Sequence, residues 1–568
     1  MRGAYRSLRN TLLVTMLAAV VAGCGGGGGG GGDNGSGSGN PPPTTTTPPP
    51  EPTAQELAAA ARMLDMATFG ATLDEIDGAA RQGLDAWLDQ QFATPASHHL
   101  PVVQRYATEY GFDITADPPP GLYRRYAFWE QALTAPDQLR QLTAYALSQI
   151  FVVSDNVDTL FVDPRALSSY YDMLLDNAFG NFRELLRAVT LHPAMGFYLS
   201  HVNNGRSDPV ANTFPDENYA REVMQLFSIG LFELNADGSR RLDSTGEPIQ
   251  TYDNGDIREF SKIFTGLSYG PEPTGGASFF GKQQPVLHVP MVMFEDYHEP
   301  GSKQLLNGQV VPDGQTGMQD IDDAIDNLFN HPNTAPFIGR LLIQRLVTSN
   351  PSPAYIARVS DAFAGSGGSA RGDMQAVLRA ILTDPEADQA ERLREPFRRY
   401  VALNRVLAAR ADDGTIPGAG FVAQFLTQQH VLSSPSVFNF YSPDFRPAGV
   451  LGDSDLIAPE FQITDASTIV GMTNLLAYAI YGEQSIDTAE GFAPITLNLE
   501  PLLSVAADTE ALLDRIELLF FAGEMGPSTR NAVATALEPL SGDDAGKVRL
   551  ALYLALSSPA YAVFGGVQ

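Results

Sequence analysis

The chain has a single cysteine, Cys24, in 568 residues. One thiol cannot close an intramolecular disulfide, and it cannot supply a Cys-ligated zinc or iron–sulfur centre. Basic residues are also scarce: 36 Lys and Arg face 66 Asp and Glu, a net charge of −30. That imbalance argues against nucleic acid as a partner and against direct docking on anionic lipid. Apolar runs long enough to span a bilayer are missing after the first two dozen residues. The remainder must stand on its own hydrophobic core, and a chain of this length buries enough apolar surface to do so.

The one cysteine sits where it carries most information. Arg2, Arg6 and Arg9 form a positive start, and Thr11 to Ala22 is a short apolar segment. Val21-Ala22-Gly23-Cys24 resembles the bacterial lipobox, which implies a signal peptide over 1–23, cleavage before Cys24 and a lipid on its thiol. Gly25 rather than Asp follows, which by resemblance to Gram-negative sorting favours the outer membrane, with the protein facing the periplasm or the exterior. Removing a leader that carries three Arg and no acid takes the net charge to −33. Residues 24–53 are a Gly run followed by a Pro/Thr run. They bury nothing, so a disordered stalk is expected there.

From residue 54 to 568 the apolar period is helical almost throughout. Helices are predicted over Leu122–Leu133, Pro136–Val152, Pro164–Ala178 and Phe182–Thr190, with a capping box at Thr72–Glu75 and a break at Gly83. A recurring pattern ends a helix and starts the next with Pro: LLRAVTLHP at Leu185, VLRAILTDP at Val377, LYLALSSP at Leu552, and more loosely IDNLFNHP at Ile325. Turn residues over Asn235–Asp253 suggest a small hairpin or irregular loop, and Pro271–Thr316 reads as partly extended. The expected fold is mainly α: one multi-helix globular body, or two packed lobes, with an irregular or β insertion over 233–316.

The stretch Asp216–Gly230, DENYAREVMQLFSIG, has five polar or charged residues in its first seven, Asp216, Glu217, Asn218, Arg221 and Glu222, and then turns apolar. On a wheel Tyr219, Val223, Leu226, Phe227 and Gly230 share one side, with Glu217, Arg221, Gln225 and Ser228 opposite. Glu217–Arg221 and Asn218–Glu222 are i,i+4 pairs on the outer face, and Asp216 is placed to cap. Local physics therefore accounts for these charges without any chemistry.

The same residues carry a family resemblance. Asn218-Tyr-Ala-Arg-Glu222, with Met224, Leu226, Phe227 and Gly230, resembles the hallmark of a bacterial family of exported proteins catalogued as domain of unknown function 1800. In the same order, Ala61–Thr72, Phe260–Gly266, His298-Glu-x-Gly301-x-Lys303, His331-Pro332, Arg394-Glu395-Pro396 and Ser434–Asn439 resemble its other motifs, from about Ala61 to Ala562. Phe440-Tyr441 departs from the family's Gly-Trp at that point. The resemblance brings no chemistry with it. It does imply a partner, since relatives are often encoded beside an exported family that looks like the sulfatase and alkaline-phosphatase superfamily.

Of eight histidines, His98 and His99 fall in a polar loop, and His192 and His331 precede Pro, where each can cap a helix. His298 lies beside Asp296 and Glu299 in the irregular segment, where function tends to sit. Two site readings follow. His298, Glu299 and Glu222 would bind a divalent metal. Or His298 and Glu299 would handle protons across from a polar wall of Glu217, Asn218, Arg221 and Glu222. The chain is read as having no Gly-x-Ser-x-Gly elbow, no His-Glu-x-x-His helix and no Walker loop. The functional expectation is an accessory or binding protein of the envelope working with an exported partner. The alternatives are a metal-assisted hydrolase of a cell-surface or extracellular polymer, and a structural scaffold.

Overall fold

Helix starts are written in the sequence and appear where their chemistry puts them. Thr53 with Glu56, Thr72 with Glu75, Asp253 with Asp256, Thr316 with Gln319 and Asp465 with Thr468 each close a reciprocal capping box. Pro stands in the first turn of the helices Pro164–Asn177, Pro193–Tyr198, Pro353–Ala364, Pro396–Val406 and Pro559–Ala562. Gly83, at φ 85°, separates the helix Leu73–Gln82 from Leu84–Ala93. The repeated helix–Pro pattern resolves as expected at two of its copies. His192 accepts from Ala194 N and Ser558 from Tyr561 N, each capping the short helix that follows.

The computed structural model describes residues 51–112, 121–270, 286–411, 420–482, 491–540 and 542–565, with 279, 414, 416 and 485–488. Residues 1–50, which hold the expected leader, Cys24 and most of the expected stalk, and the Pro118–Pro120 loop lie outside the described residues, while Thr53, at the end of the expected stalk, caps the first helix. Glu51–Gln568 forms one compact unit rather than two lobes. The described residues are 56% helical, and the strands among them pair in antiparallel twos. No helix among the described residues is long and apolar enough to cross a membrane.

One continuous core joins helices from both ends of the chain. Phe128 and Trp129 of Leu122–Thr134 pack on Phe397, and Trp129 on Tyr400, both from Pro396–Val406. The helix Asn218–Gln225 is shorter than its apolar stripe suggests, and Leu226–Ser228 continue it as turn. The segment after it folds as two irregular loops closed by single bridges, Leu234 to Arg240 and Leu242 to Pro248. Farther on, Leu267–Ser268 pairs with Val292–Met293, and Lys303–Gln304 with Val310–Val311.

Candidate functional site

The charged start of the hallmark helix behaves as local physics dictates. Asp216 accepts from Asn218 N at 2.8 Å, and Glu217 meets Arg221 at 3.4 Å. Asn218 is exposed. Glu222 departs from the outward position read from the wheel. It is buried, and its Oε2 has no hydrogen-bond partner among the described residues. Burial raises its carboxyl, against the opposing charge of Arg221. The packing of this short helix against Asn254–Ile263, with Tyr252 nearby, overrides the wheel.

His298 is buried with different partners. Its Nδ1 donates to the Thr265 carbonyl at 2.9 Å, and its Nε2 lies 3.0 Å from Asp320 Oδ2 and 3.2 Å from Lys303 Nζ. Lys303 also pairs with Asp320. Burial opposes the Asp320 charge, but the His298 and Lys303 contacts win and hold it below its ordinary value. Glu299 accepts from Ser207 N at 2.6 Å. No hydrogen bond or ion pair among the described residues joins His298 or Glu299 to Glu217, Asn218, Arg221 or Glu222. Nor is any group of three or more His, Cys, Asp or Glu among them placed to hold a metal ion. His298, Lys303 and Asp320 form a buried ionic clasp, with the ammonium on the oxygen a metal would need.

One motif reading needs correction. Gly266-Leu-Ser-Tyr-Gly270 does have the Gly-x-Ser-x-Gly spacing. Its serine is no nucleophile elbow, because Ser268 lies in a two-residue strand, fully buried. Its Oγ sits 2.6 Å from Asn203 Oδ1 and 2.8 Å from the Phe279 carbonyl, both acceptors. An elbow instead presents its serine on an open strand-to-helix turn.

The residues that do converge are the other end of DENYAREVMQLFSIG and the two late motifs. A cleft of about 440 Å³ is lined by Gln225, Leu226 and Gly230 from that stretch and by Val437, Phe438 and Asn439. Its floor is the helix Thr334–Leu346, which contributes Phe337, Arg340, Leu341, Gln344 and Arg345, a single helical stripe. Gly230 is required here. Its φ is +73°, and a Cβ would come 2.8 Å from the Phe337 ring. The Ser434 carbonyl accepts from Ser154 at 2.6 Å and Asn156 at 2.7 Å, which pins the start of the loop that forms the opposite wall.

Behind that wall lies Glu395, buried among four donors from three segments. Its Oε1 accepts from Tyr441 at 2.5 Å, Gln429 at 2.7 Å and Gln149 at 2.9 Å, and its Oε2 from Tyr145 at 3.1 Å. Asn439 completes the link to the cleft by donating to Gln149 Oε1 at 3.3 Å. Burial alone would raise the Glu395 carboxyl, yet Arg398, Tyr441 and Arg392 hold it below its ordinary value. Burial next to that charge drives the Tyr145 and Tyr441 phenols well above theirs. The Glu460 carboxyl, also buried and near Arg392 and Arg345, is pushed up to about 7 by desolvation.

A family model described as "Protein of unknown function (DUF1800)" matches residues 62–563. The chain belongs to the DUF1800 family. No curated protein and no solved structure matches it. Against that frame the motif positions separate into two groups. The DUF1800-like His298–Lys303 motif makes the buried clasp, while Arg394–Pro396 and Ser434–Asn439 build the wall of the cleft and the carboxylate behind it. Sequence reasoning named the last two motifs but drew no site from them. It missed Tyr145, Gln149, Gln429, Arg345 and Asp320 outright. The available signal was the 337/340/341/344/345 stripe, which carries two arginines and a glutamine on a face that would otherwise be core.

Proposed function

We propose that this DUF1800 protein is a binding protein whose cleft takes a small molecule with an apolar body and an anionic group. The supporting observation is the chemistry of the lining. Ile150, Leu226, Leu231, Phe337, Leu341 and Phe438 provide apolar wall, and the polar groups are almost all amides and guanidiniums. Amides do not ionise and guanidiniums do not deprotonate, so this set binds and orients but does not transfer protons. The one carboxylate on the lining, Asp444, is tied to Arg340. Glu395 and Glu460 are not on the lining.

Arg345 is the anchor for the anion. It is buried, stacks 4.7 Å over the Tyr441 ring, and its Nε has no hydrogen-bond partner among the described residues. A buried guanidinium without a bound acceptor is costly, and a carboxylate or sulfonate in the cleft would relieve it. The lipobox reading would put this body in the envelope, held at the membrane by Cys24. That placement comes from the sequence.

Anilinonaphthalene sulfonate, an aromatic body with one anionic group, is a direct probe. Saturable binding of one molecule per chain is expected, and Arg345→Gln should weaken it by about 10-fold or more, the loss of one charge-assisted contact. Binding that never saturates, or that Arg345→Gln leaves unchanged in a folded protein, would sink the reading. A hydrolase would need an acid–base group on this lining.

A further inference from the structure

A second, much smaller space lies beside the Arg394-Glu395-Pro396 motif and shares no lining residue with the cleft. Its volume is about 20 Å³. That is room for one water-sized species, since a single water needs about 10–15 Å³ by this measure. The lining is unusual for so small a space. Arg392, Arg394, Arg398 and Arg399 surround it with one acid, Asp65, and the rest is apolar: Met66, Phe69, Leu346, Ala402 and Phe564.

The charges around it do not balance. Arg394 pairs with Asp65 at 2.8 Å. Arg398 donates to the carbonyls of Asp65 and Thr68, and Arg392 to the carbonyls of Gln344 and Arg345. Both of these arginines face the Glu395 charge, and Arg392 also faces Glu460. Arg399 is left over. It is 7% exposed, and among the described residues its guanidinium makes no hydrogen bond and no ion pair. The Nε atoms of Arg392, Arg394 and Arg399 are all buried without a partner. Burial pulls the Arg399 guanidinium down to about 10; the Tyr561 phenol opposes that shift and the Arg394 charge adds to it.

A water molecule could accept from these donors, but it would leave the surplus positive charge uncompensated, and an uncompensated buried charge is strongly destabilising. An oxyanion such as phosphate or sulfate is too large for the space. We propose that this cavity is a binding site for a small monovalent anion, with chloride the species that fits, held by Arg399 with Arg392 and Arg394. The ion would cross-link the start of the helix Pro396–Val406 to the first helix, Ala54–Ala67, which contributes Asp65 and Met66, and to Phe564 near the end of the chain.

The test uses the mature chain freed of halide by dialysis into sodium gluconate, whose anion is too bulky to enter. Titrating sodium chloride or sodium bromide at constant ionic strength should raise the melting temperature saturably, by about 2–4 °C. Crystals grown with bromide should show one anomalous peak within hydrogen-bond distance of Arg399. In Arg399→Met the halide-dependent rise should vanish. If that variant does not fold, the bromide map of the unaltered protein decides. Equal melting temperatures in chloride and gluconate, or a bromide map with no peak in the cavity, would overturn the proposal.

Discussion

The Tyr441 hydroxyl donates to Glu395 Oε1 at 2.5 Å across 46 residues of chain. Tyr441 stands where the family resemblance would put Trp, and here its hydroxyl is one of four donors that let a fully buried carboxylate stay ionised. The contact fastens the loop over the cleft to the helix Pro396–Val406 behind it. This pair is where the stability of the body and the shape of its cleft meet.

Removing the Glu395 charge should therefore be expensive. Glu395→Gln keeps the shape but removes the charge that Arg398 and Arg392 share, a loss of about 3–5 kcal/mol. Tyr441→Phe deletes one donor and should cost about 1–2 kcal/mol. Urea unfolding at neutral pH would measure both, and the ordering Glu395→Gln worse than Tyr441→Phe is the informative result.

Glu460 makes stability depend on pH in an unusual direction. Its carboxyl moves from an ordinary 4.5 up to about 7 in the folded protein. Between those values the folded chain holds a proton that the unfolded chain releases, so this group's contribution is full below about pH 4.5 and is lost as pH rises through 7. Arg392 and Arg345 oppose the shift, and Glu395 adds to it. Glu460→Gln mimics the protonated form. It should stabilise the protein by on the order of 3 kcal/mol at pH 8 and flatten this part of the pH profile. A variant no more stable than the parent at pH 8 would show that Glu460 does not titrate in this range.

Gly230→Ala tests how the cleft is built. The positive φ and the Phe337 ring together leave no room for a Cβ. A destabilisation of about 1–3 kcal/mol is expected, with weakened binding of the sulfonate probe because Phe337 must move into the cleft. Parallel thermal melts and probe titrations would separate the two effects.

The His298 clasp should behave as structure and not as a metal site. Lys303→Met leaves Asp320 charged and buried without its cation, costing about 3–5 kcal/mol. Because the Asp320 carboxyl is depressed, its contribution is complete above its ordinary 3.8 and fades as pH falls through its folded value. Chelator treatment should leave the melting temperature unchanged. A drop on adding EDTA, restored by zinc or calcium, would reinstate His298, Glu299 and Glu222 as ligands.

The lipobox reading makes its own prediction. Cys24→Ser removes the thiol that a lipid would occupy, so the mature protein should move from the membrane fraction to the soluble fraction, with its melting temperature unchanged. Equal membrane association of parent and variant would rule out the lipid anchor.

What could be read from the sequence was local. Thr72–Glu75, His192 and Ser558 show it best, because a cap is decided by residues two or three positions apart, and helix period and Pro placement carry the mainly α fold in the same way. The family, too, was visible in the order of its motifs. The misreadings were of a different kind. Glu222 was assigned to the outer face by its wheel, but a neighbouring helix covers it. His298 was matched with Glu299 and with Glu222 of the hallmark helix, whereas the acid it meets, Asp320, lies on the helix Gly317–Phe329, 22 residues on.

Glu395 shows why the rest needed the tertiary structure. Its donors Tyr145 and Gln149 stand 250 and 246 residues away. No periodicity links positions so distant. Only the packing of the core brings them together, and only their burial in a low-dielectric interior gives those hydrogen bonds and charges the strength to move pKa values and set the wall of a cleft.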